Sequence, residues 1–226
     1  MKMLNDLFKP DYKSTLSVQV SGRPGSGKTY FLRESIKQFL KINTDPDYRL
    51  VYIDPKHEIN FGTEKQFHPI SVDKLERHLR RYRVAVVYPD PDFIEAEVDY
   101  AIDTVFNIEQ ANPDFNCTFV VDDAQVFLSS RKAASPSFRR LSLTGRSRGI
   151  KFVSVSHSII FSKDLEGSCS FLLCFNLPFK AYWADSIKRY GFDPEPFVEH
   201  LAAVPYSFVW FDVTKASAKL MKPIEI

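Results

Sequence analysis

Eight residues, Gly22-Arg23-Pro24-Gly25-Ser26-Gly27-Lys28-Thr29, constrain this chain more than any other feature. They fit G-x-x-x-x-G-K-[ST], the Walker A pattern. An alternating run, Leu16-Ser17-Val18-Gln19-Val20, precedes them, and a helical stretch from about Thr29 to Lys41 follows. Strand, Gly-rich turn and helix are the setting the motif needs. Backbone N–H groups of the turn and the helix start can then wrap phosphates. Lys28 is expected to reach the β- and γ-phosphates of ATP, and the Thr29 hydroxyl to bind Mg²⁺.

The rest of the chain suits such a site. At 226 residues, 44% of them apolar, it is long enough for one large globular domain, expected to run over 1–226. Residues 1–13 are expected to form an N-terminal arm, and 207–226 a last strand and tail. A formal charge of +2 excludes a strongly basic nucleic-acid coat but not a local basic surface. Cys117, Cys169 and Cys174 form no CxxC pair, so they read as buried free thiols rather than a metal site. The start of the chain carries no signal-peptide pattern, and the longest apolar runs are strand-length, which predicts no membrane-spanning helix.

Strand-like and helix-like segments alternate, which predicts an α/β fold with a mainly parallel central sheet flanked by helices. Expected strands are 15–21, 49–54, 84–88, 117–121, 151–156, 169–175 and 207–213. Expected helices are 29–41, 73–82, 93–110, 138–143 and 181–190. The basic stretch Ser129 to Pro136 is expected to be a mobile loop.

A second motif supports the first. Phe119-Val120-Val121-Asp122-Asp123 is an apolar strand that ends in acids, as in a Walker B element. Such a site needs a carboxylate at a neighbouring strand end to hold Mg²⁺. Asp122 is assigned that role, and Asp123 the polarising of the attacking water. Gln125 follows closely and is expected to touch the ligand or the adjacent strand.

A third cluster, Thr144-Gly145-Arg146-Ser147-Arg148-Gly149, leads into the strand that ends in Ser156-His157. If that strand lies beside the Walker B strand, His157 falls near the γ-phosphate and is expected to sense hydrolysis. Arg146 and Arg148 fall at the opposite end, where they are expected to face a neighbouring subunit's nucleotide. An arginine supplied in trans neutralises charge that develops in the transition state.

Together these clusters resemble the FtsK–HerA superfamily of P-loop ATPases. Within it the likeness is to the genome-packaging ATPases of tailless, internal-membrane-containing double-stranded DNA viruses and phages. It covers about residues 14–175. Tyr52-Ile53-Asp54-Pro55-Lys56 is similar to the family's Asp-Pro-Lys segment, and Gly145 to Ile150 to its lead into the sensor strand. The resemblance implies a RecA/FtsK-like P-loop NTPase fold and a homo-oligomer, expected as a hexameric ring. It implies ATP-driven movement of double-stranded DNA into a preformed capsid. It further implies partners at the capsid vertex or inner membrane, and a place in the virion and the host cytoplasm. Two residues depart from the family pattern: His157 stands where Gln is usual, and Asp123 where Glu is common.

A translocase must grip phosphate without reading bases. Arg131 and Lys132, then Arg139 and Arg140, are the candidate DNA grips. Lys56 is another, at a second strand end that lies near either the nucleotide or the pore. The basic run from Leu75 to Arg83 reads as the wet face of a helix. The alternative functions are a morphogenesis or secretion ATPase of Zot type, a nucleotide-dependent switch that does not translocate, and a small-molecule kinase.

Overall fold

The computed structural model describes residues 2–10, 17–126, 128, 134–159, 168–176 and 180–223. One eight-stranded sheet organises them, in the order β3-β2-β4-β5-β1-β6-β7-β8. The strands are β1 Ser17–Ser21, β2 Tyr48–Ile53, β3 Val84–Val87, β4 Asn116–Val121, β5 Ile150–Ser156, β6 Cys169–Phe175, β7 Phe208–Asp212 and β8 Ser217–Met221. The first six pair in parallel, whereas β7 runs antiparallel to β6 and β8 antiparallel to β7. The fold is therefore the expected α/β sheet with flanking helices.

The central strands are buried on both faces, which is why β3 and the second halves of β4 and β6 are continuous apolar runs, whereas β1 and β5 also bury polar residues such as Gln19 and Ser154. Every residue of β1, β3, β5 and β6 is buried. One face carries helices α3 (Leu75–Leu79), α4 (Ile94–Ala111) and α5 (Pro136–Thr144) over Val51, Phe119 and Phe152. The other carries α1 (Lys2–Phe8) and α2 (Lys28–Ile42) over Val18, Tyr52 and Val153. Two C-terminal helices, Lys180–Arg189 and Glu195–Ala203, belong to a third core cluster with Leu172 and Phe211.

Four segments differ from the sequence expectation. Residues 2–8 are a docked helix rather than an arm. Leu4, Leu7 and Phe8 are buried, and Phe8 packs on Phe39 of α2 with ring centroids 5.6 Å apart. Lys151, the buried second residue of β5, donates its ammonium to the carbonyls of Asp6 and Lys9 at the end of α1. A cation at a helix C-terminus satisfies the last carbonyls and opposes the dipole. The 73–82 segment supplies only Leu75 and Leu79 to the core, so one short helix forms after a 3₁₀ turn at Val72–Lys74. A helix at Glu195–Ala203 and the edge strand β8 complete the C-terminal part. Thr15 and most of the Ser129–Pro136 loop lie outside the described residues. All three cysteines are buried and free.

Candidate active site

Parallel pairing brings the C-terminal ends of β1, β2, β4 and β5 together, since Ser21 pairs with Ser156, Ile53 with Val121, and Val121 with Ser154. Ligands of open α/β sheets bind at this edge. The segments after these strands carry the Walker A turn, the Asp-Pro-Lys segment, the acid pair and His157.

The Walker A turn leaves β1 and enters α2 through two left-handed glycines, Gly25 at φ 73° and Gly27 at φ 94°. Gly22 is required by space instead. A Cβ there would lie 2.6 Å from Phe175 Cβ and 2.8 Å from Ser26 Oγ. The Gly22 N–H donates to the Ser156 carbonyl (3.2 Å) and the Arg23 N–H to the Asn176 carbonyl (2.7 Å), which ties the turn to both neighbouring strands. Lys28 folds back and donates to the carbonyls of Gly22 (2.5 Å) and Arg23 (3.1 Å). Burial lowers its pKa to about 8, although the charges of Asp122 and Asp123 oppose the shift. Arg23, Pro24 and Gly25 face solvent, and Thr29 is half-buried at the helix start. The Ser26 Oγ is buried with no hydrogen-bond partner among the described residues. An orphaned hydroxyl inside a glycine cradle at a helix N-terminus suits phosphate oxygens.

At the end of β4, Asp122 accepts a hydrogen bond from the Tyr52 hydroxyl (2.8 Å). Burial raises its carboxyl to about pKa 6. Thr29 and Asp122, one hydroxyl and one carboxylate beside the phosphate cradle, are the oxygen donors that a phosphate-bound Mg²⁺ uses. Asp123 is buried and left-handed, at φ 48°. Its Oδ2 lies 2.6 Å from Lys56 Nζ, and its Oδ1 lies 3.1 Å from His157 Nε2 and accepts from Gln125 Nε2 at 3.0 Å. Burial alone would raise the Asp123 carboxyl, but hydrogen bonds from Lys56 and Gln125 outweigh it and hold it below the usual range. Burial, with the charges of Lys28 and Lys56, keeps His157 below its ordinary value. The imidazole is therefore neutral at pH 7, and its Nε2 lies between Asp123 Oδ1 (3.1 Å) and Lys56 Nζ (3.3 Å), donating to the carboxylate in one tautomer and accepting from the ammonium in the other.

Lys56 reaches this carboxylate because Asp54 shapes the loop. The buried Asp54 carboxylate accepts from the backbone N–H groups of Lys56 (3.1 Å), Glu58 (2.8 Å) and Ile59 (2.7 Å). Lys56 thus stands beside the acid pair and the Walker A turn. Gln125 contacts the adjacent strand: its Oε1 accepts from the His157 N–H at 3.3 Å. Tyr52 and Asp54 were not among the expected site residues. A buried tyrosine in a strand gives no sequence signal, but an Asp before Pro-Lys-His-Glu does, as the start of an Asx-type loop.

The remaining expected residues lie elsewhere. Arg146 and Arg148 occupy a 3₁₀ turn at the opposite end of β5 from His157. Arg148 Nη1 lies 3.3 Å from the buried Glu109 carboxylate of its own chain. Arg140 is committed to α4, with Nη2 2.7 Å from Asp103 and its guanidinium 4.1 Å over the Phe106 ring. Arg139 is exposed on α5. Arg131 and Lys132 lie outside the described residues.

No protein-family model matches the chain, and no curated protein matches its sequence. Solved structures do match. The genome packaging NTPase B204 of Sulfolobus turreted icosahedral virus 2, in complex with ATP-gammaS, superposes at a TM-score of 0.71. It has 16% identity, over 93% of this chain and 98% of that one. The same protein with sulfate also gives 0.71 at 18% identity. The chain has the fold of this packaging NTPase. The pCW3 conjugation coupling protein TcpA, with ATPgS, matches at 0.58 and 13% identity, over 94% of this chain and 61% of that one. The mainly parallel P-loop architecture implied by the FtsK–HerA resemblance is therefore present. Among the described residues no helix is long and apolar enough to cross a membrane.

Proposed function

We propose that this protein is a P-loop ATPase that drives double-stranded DNA into a viral capsid. The observation that carries the reading is the convergence at one sheet edge of Lys28, Asp122, Asp123, Lys56 and His157 around the glycine-rich turn that holds the buried Ser26 hydroxyl. The fold shared with a genome packaging NTPase over nearly its whole length supports the choice of DNA as cargo.

In this reading the triphosphate lies in the turn of Gly22 to Thr29, and Lys28 exchanges its two carbonyl partners for phosphate oxygens. Thr29 and Asp122 would hold Mg²⁺, which neutralises phosphate charge when bound. Asp123 orients the attacking water, and Tyr52 fixes the carboxylate beside it. Lys56 and His157 keep Asp123 ionised and in place until phosphate draws Lys56 away. An arginine of a neighbouring protomer completes the charge clamp, and Arg146 is the better candidate because Arg148 is held by Glu109. Arg131, Lys132, Arg139, Arg140 and Lys56 remain the candidate DNA grips, Arg140 beside Asp103 and Lys56 beside Asp123. A ring multiplies such small basic surfaces, which reconciles them with a nearly neutral chain.

The test is steady-state ATP hydrolysis with and without long double-stranded DNA, at low salt and across protein concentration. Turnover that rises with DNA, and more than linearly with protein, is expected of an assembling translocase. Turnover indifferent to DNA would replace this reading with a morphogenesis or secretion ATPase.

A further inference from the structure

One exposed aromatic ring lies against the phosphate-binding turn. Tyr206 is 60% exposed and sits in the connection between the helix Glu195–Ala203 and β7. The Ser207 N–H donates to the Val204 carbonyl at 3.3 Å, so Val204 to Ser207 close a four-residue turn. Pro205 is its second residue, and Tyr206, at φ 62°, its third. This is the type II pattern, whose third position calls for glycine. A tyrosine there strains the backbone, and the ring gains little burial in exchange. Strain of this kind points to a task outside folding.

The ring's position is fixed from below. A Cβ built on Gly27 would lie 2.9 Å from Tyr206 Cδ1, so the ring rests on the last glycine of the turn. Phe208, two residues on, stacks on Phe175 at 4.9 Å and meets Phe31 of α2 at 4.7 Å. Phe175 is the residue that abuts Gly22. One aromatic cluster therefore underlies both the Walker A turn and the tyrosine beside it, and the exposed ring sits against Gly27.

A nucleotide anchored by its phosphates must send its ribose and base out over the rim of the turn. A base is a flat π surface, and an aromatic ring is its most general partner because every base has such a face. We infer that Tyr206 forms the base subsite, with its exposed ring face stacking on the base of the nucleotide whose phosphates fill the turn from Gly22 to Thr29. The inference rests on the nucleotide reading above. Stacking without an edge-reading group selects a broad purine face but not its substituents, so ATP and GTP are expected to bind alike, and CTP more weakly.

Two ligands separate the roles: ATPγS and inorganic tripolyphosphate, each with Mg²⁺, their affinities measured by calorimetry on the full chain. Tyr206→Gly removes the ring and relieves the turn, so it is expected to fold at least as well as the parent. Its ATPγS affinity is expected to fall about tenfold, or about 1.4 kcal/mol, with tripolyphosphate affinity unchanged. Tyr206→Phe should keep both. Equal losses for the two ligands would make the ring a prop for the turn and overturn the base subsite. No change for either would place the base elsewhere and overturn it as well. Failure of the parent protein to bind either ligand would remove the nucleotide reading itself, an outcome separate from the other two.

Discussion

Lys56 Nζ lies 2.6 Å from Asp123 Oδ2, and Asp123 holds a left-handed backbone at φ 48°. The two facts explain why an aspartate suits this position. Asp and Asn tolerate the left-handed region through local hydrogen bonding, whereas longer side chains do so at a cost. The shorter carboxylate also fits between Lys56 and His157 without displacing either.

Asp123→Glu, a nominally conservative change, is therefore expected to lower ATP turnover by ~10-fold or more. Asp123→Asn keeps the backbone and the Gln125 contact but loses the charge that orients water. It should bind ATP like the parent and hydrolyse it ~10²-fold more slowly. Single-turnover assays beside calorimetry check both. An Asp123→Glu enzyme as fast as the parent would dismiss this account of the site.

Asp122 sets a pH limit. Its folded carboxyl is raised to about pKa 6, above the unfolded value near 3.8. Ionising it in place costs folding free energy: the folded state holds the extra proton between pH 4 and 6, so this group's contribution to stability falls across that window. Asp122→Asn retains an acceptor for Tyr52 without charge. It is expected to stabilise the ligand-free protein at pH 7 by about 1–3 kcal/mol, seen as a higher melting temperature, while abolishing Mg²⁺-dependent turnover. Because Mg²⁺ competes with this proton, the Mg²⁺ concentration needed for half-maximal turnover in the parent should rise as pH drops below about 6.

Lys28 gives the complementary signal. With its folded pKa lowered to about 8, the ammonium is roughly half deprotonated at pH 8. The unfolded chain holds that proton up to pH 10.5, so this group adds stability as pH rises from 8 toward 10.5. Phosphate beside the amine restores its charge. ATPγS binding at pH 8 should thus take up ~0.5 proton through this group, measured as a dependence of binding heat on the buffer's ionisation enthalpy. Lys28→Ala should lose that dependence together with tight binding.

Gly22 is a packing glycine. Gly22→Ala forces a methyl against Phe175 and Ser26 and is expected to cost about 1–3 kcal/mol, with a melting temperature lower by ~3–10 °C. A parent-like melt would show that β1 and β6 give way easily at this point.

A shared site predicts complementation. Lys28→Ala and Arg146→Ala should each be inactive alone. Mixed in equal amounts, they pair an intact turn with an intact arginine at ~1/4 of neighbouring contacts, and turnover should reappear. A mixture as silent as its parts would rule out Arg146 as a residue supplied in trans.

Much of this architecture could be read from the residues. β2, β3, β4 and β6 are largely apolar blocks, β1 and β5 alternate, and the Walker A and B strings name their own places at strand ends. What escaped reading was held by distant partners. The helix Lys2–Phe8 is too short and mixed to announce itself, and it forms because α2, β4 and β5 offer it a seat. β8 is mostly exposed and follows no pattern of burial; its backbone simply completes β7. Lys56 could be placed near either the nucleotide or the pore, because the side chain that pairs with it, Asp123, follows another strand. The third position of the Pro205 turn carried a signal, a tyrosine where glycine belongs, but only a known φ makes it visible.

The docking of α1 also bears on how load passes through the molecule. Phe8 offers its carbonyl to Thr118 of β4, and the end of α1 is gripped by Lys151 of β5. These two strands end, at the other edge of the sheet, in Asp122, Asp123 and His157. A pull on the first residues is therefore not taken up by a slack leash: it runs along two hydrogen-bonded struts into the acids themselves. Whatever is tethered at that end has a mechanical line to the chemistry.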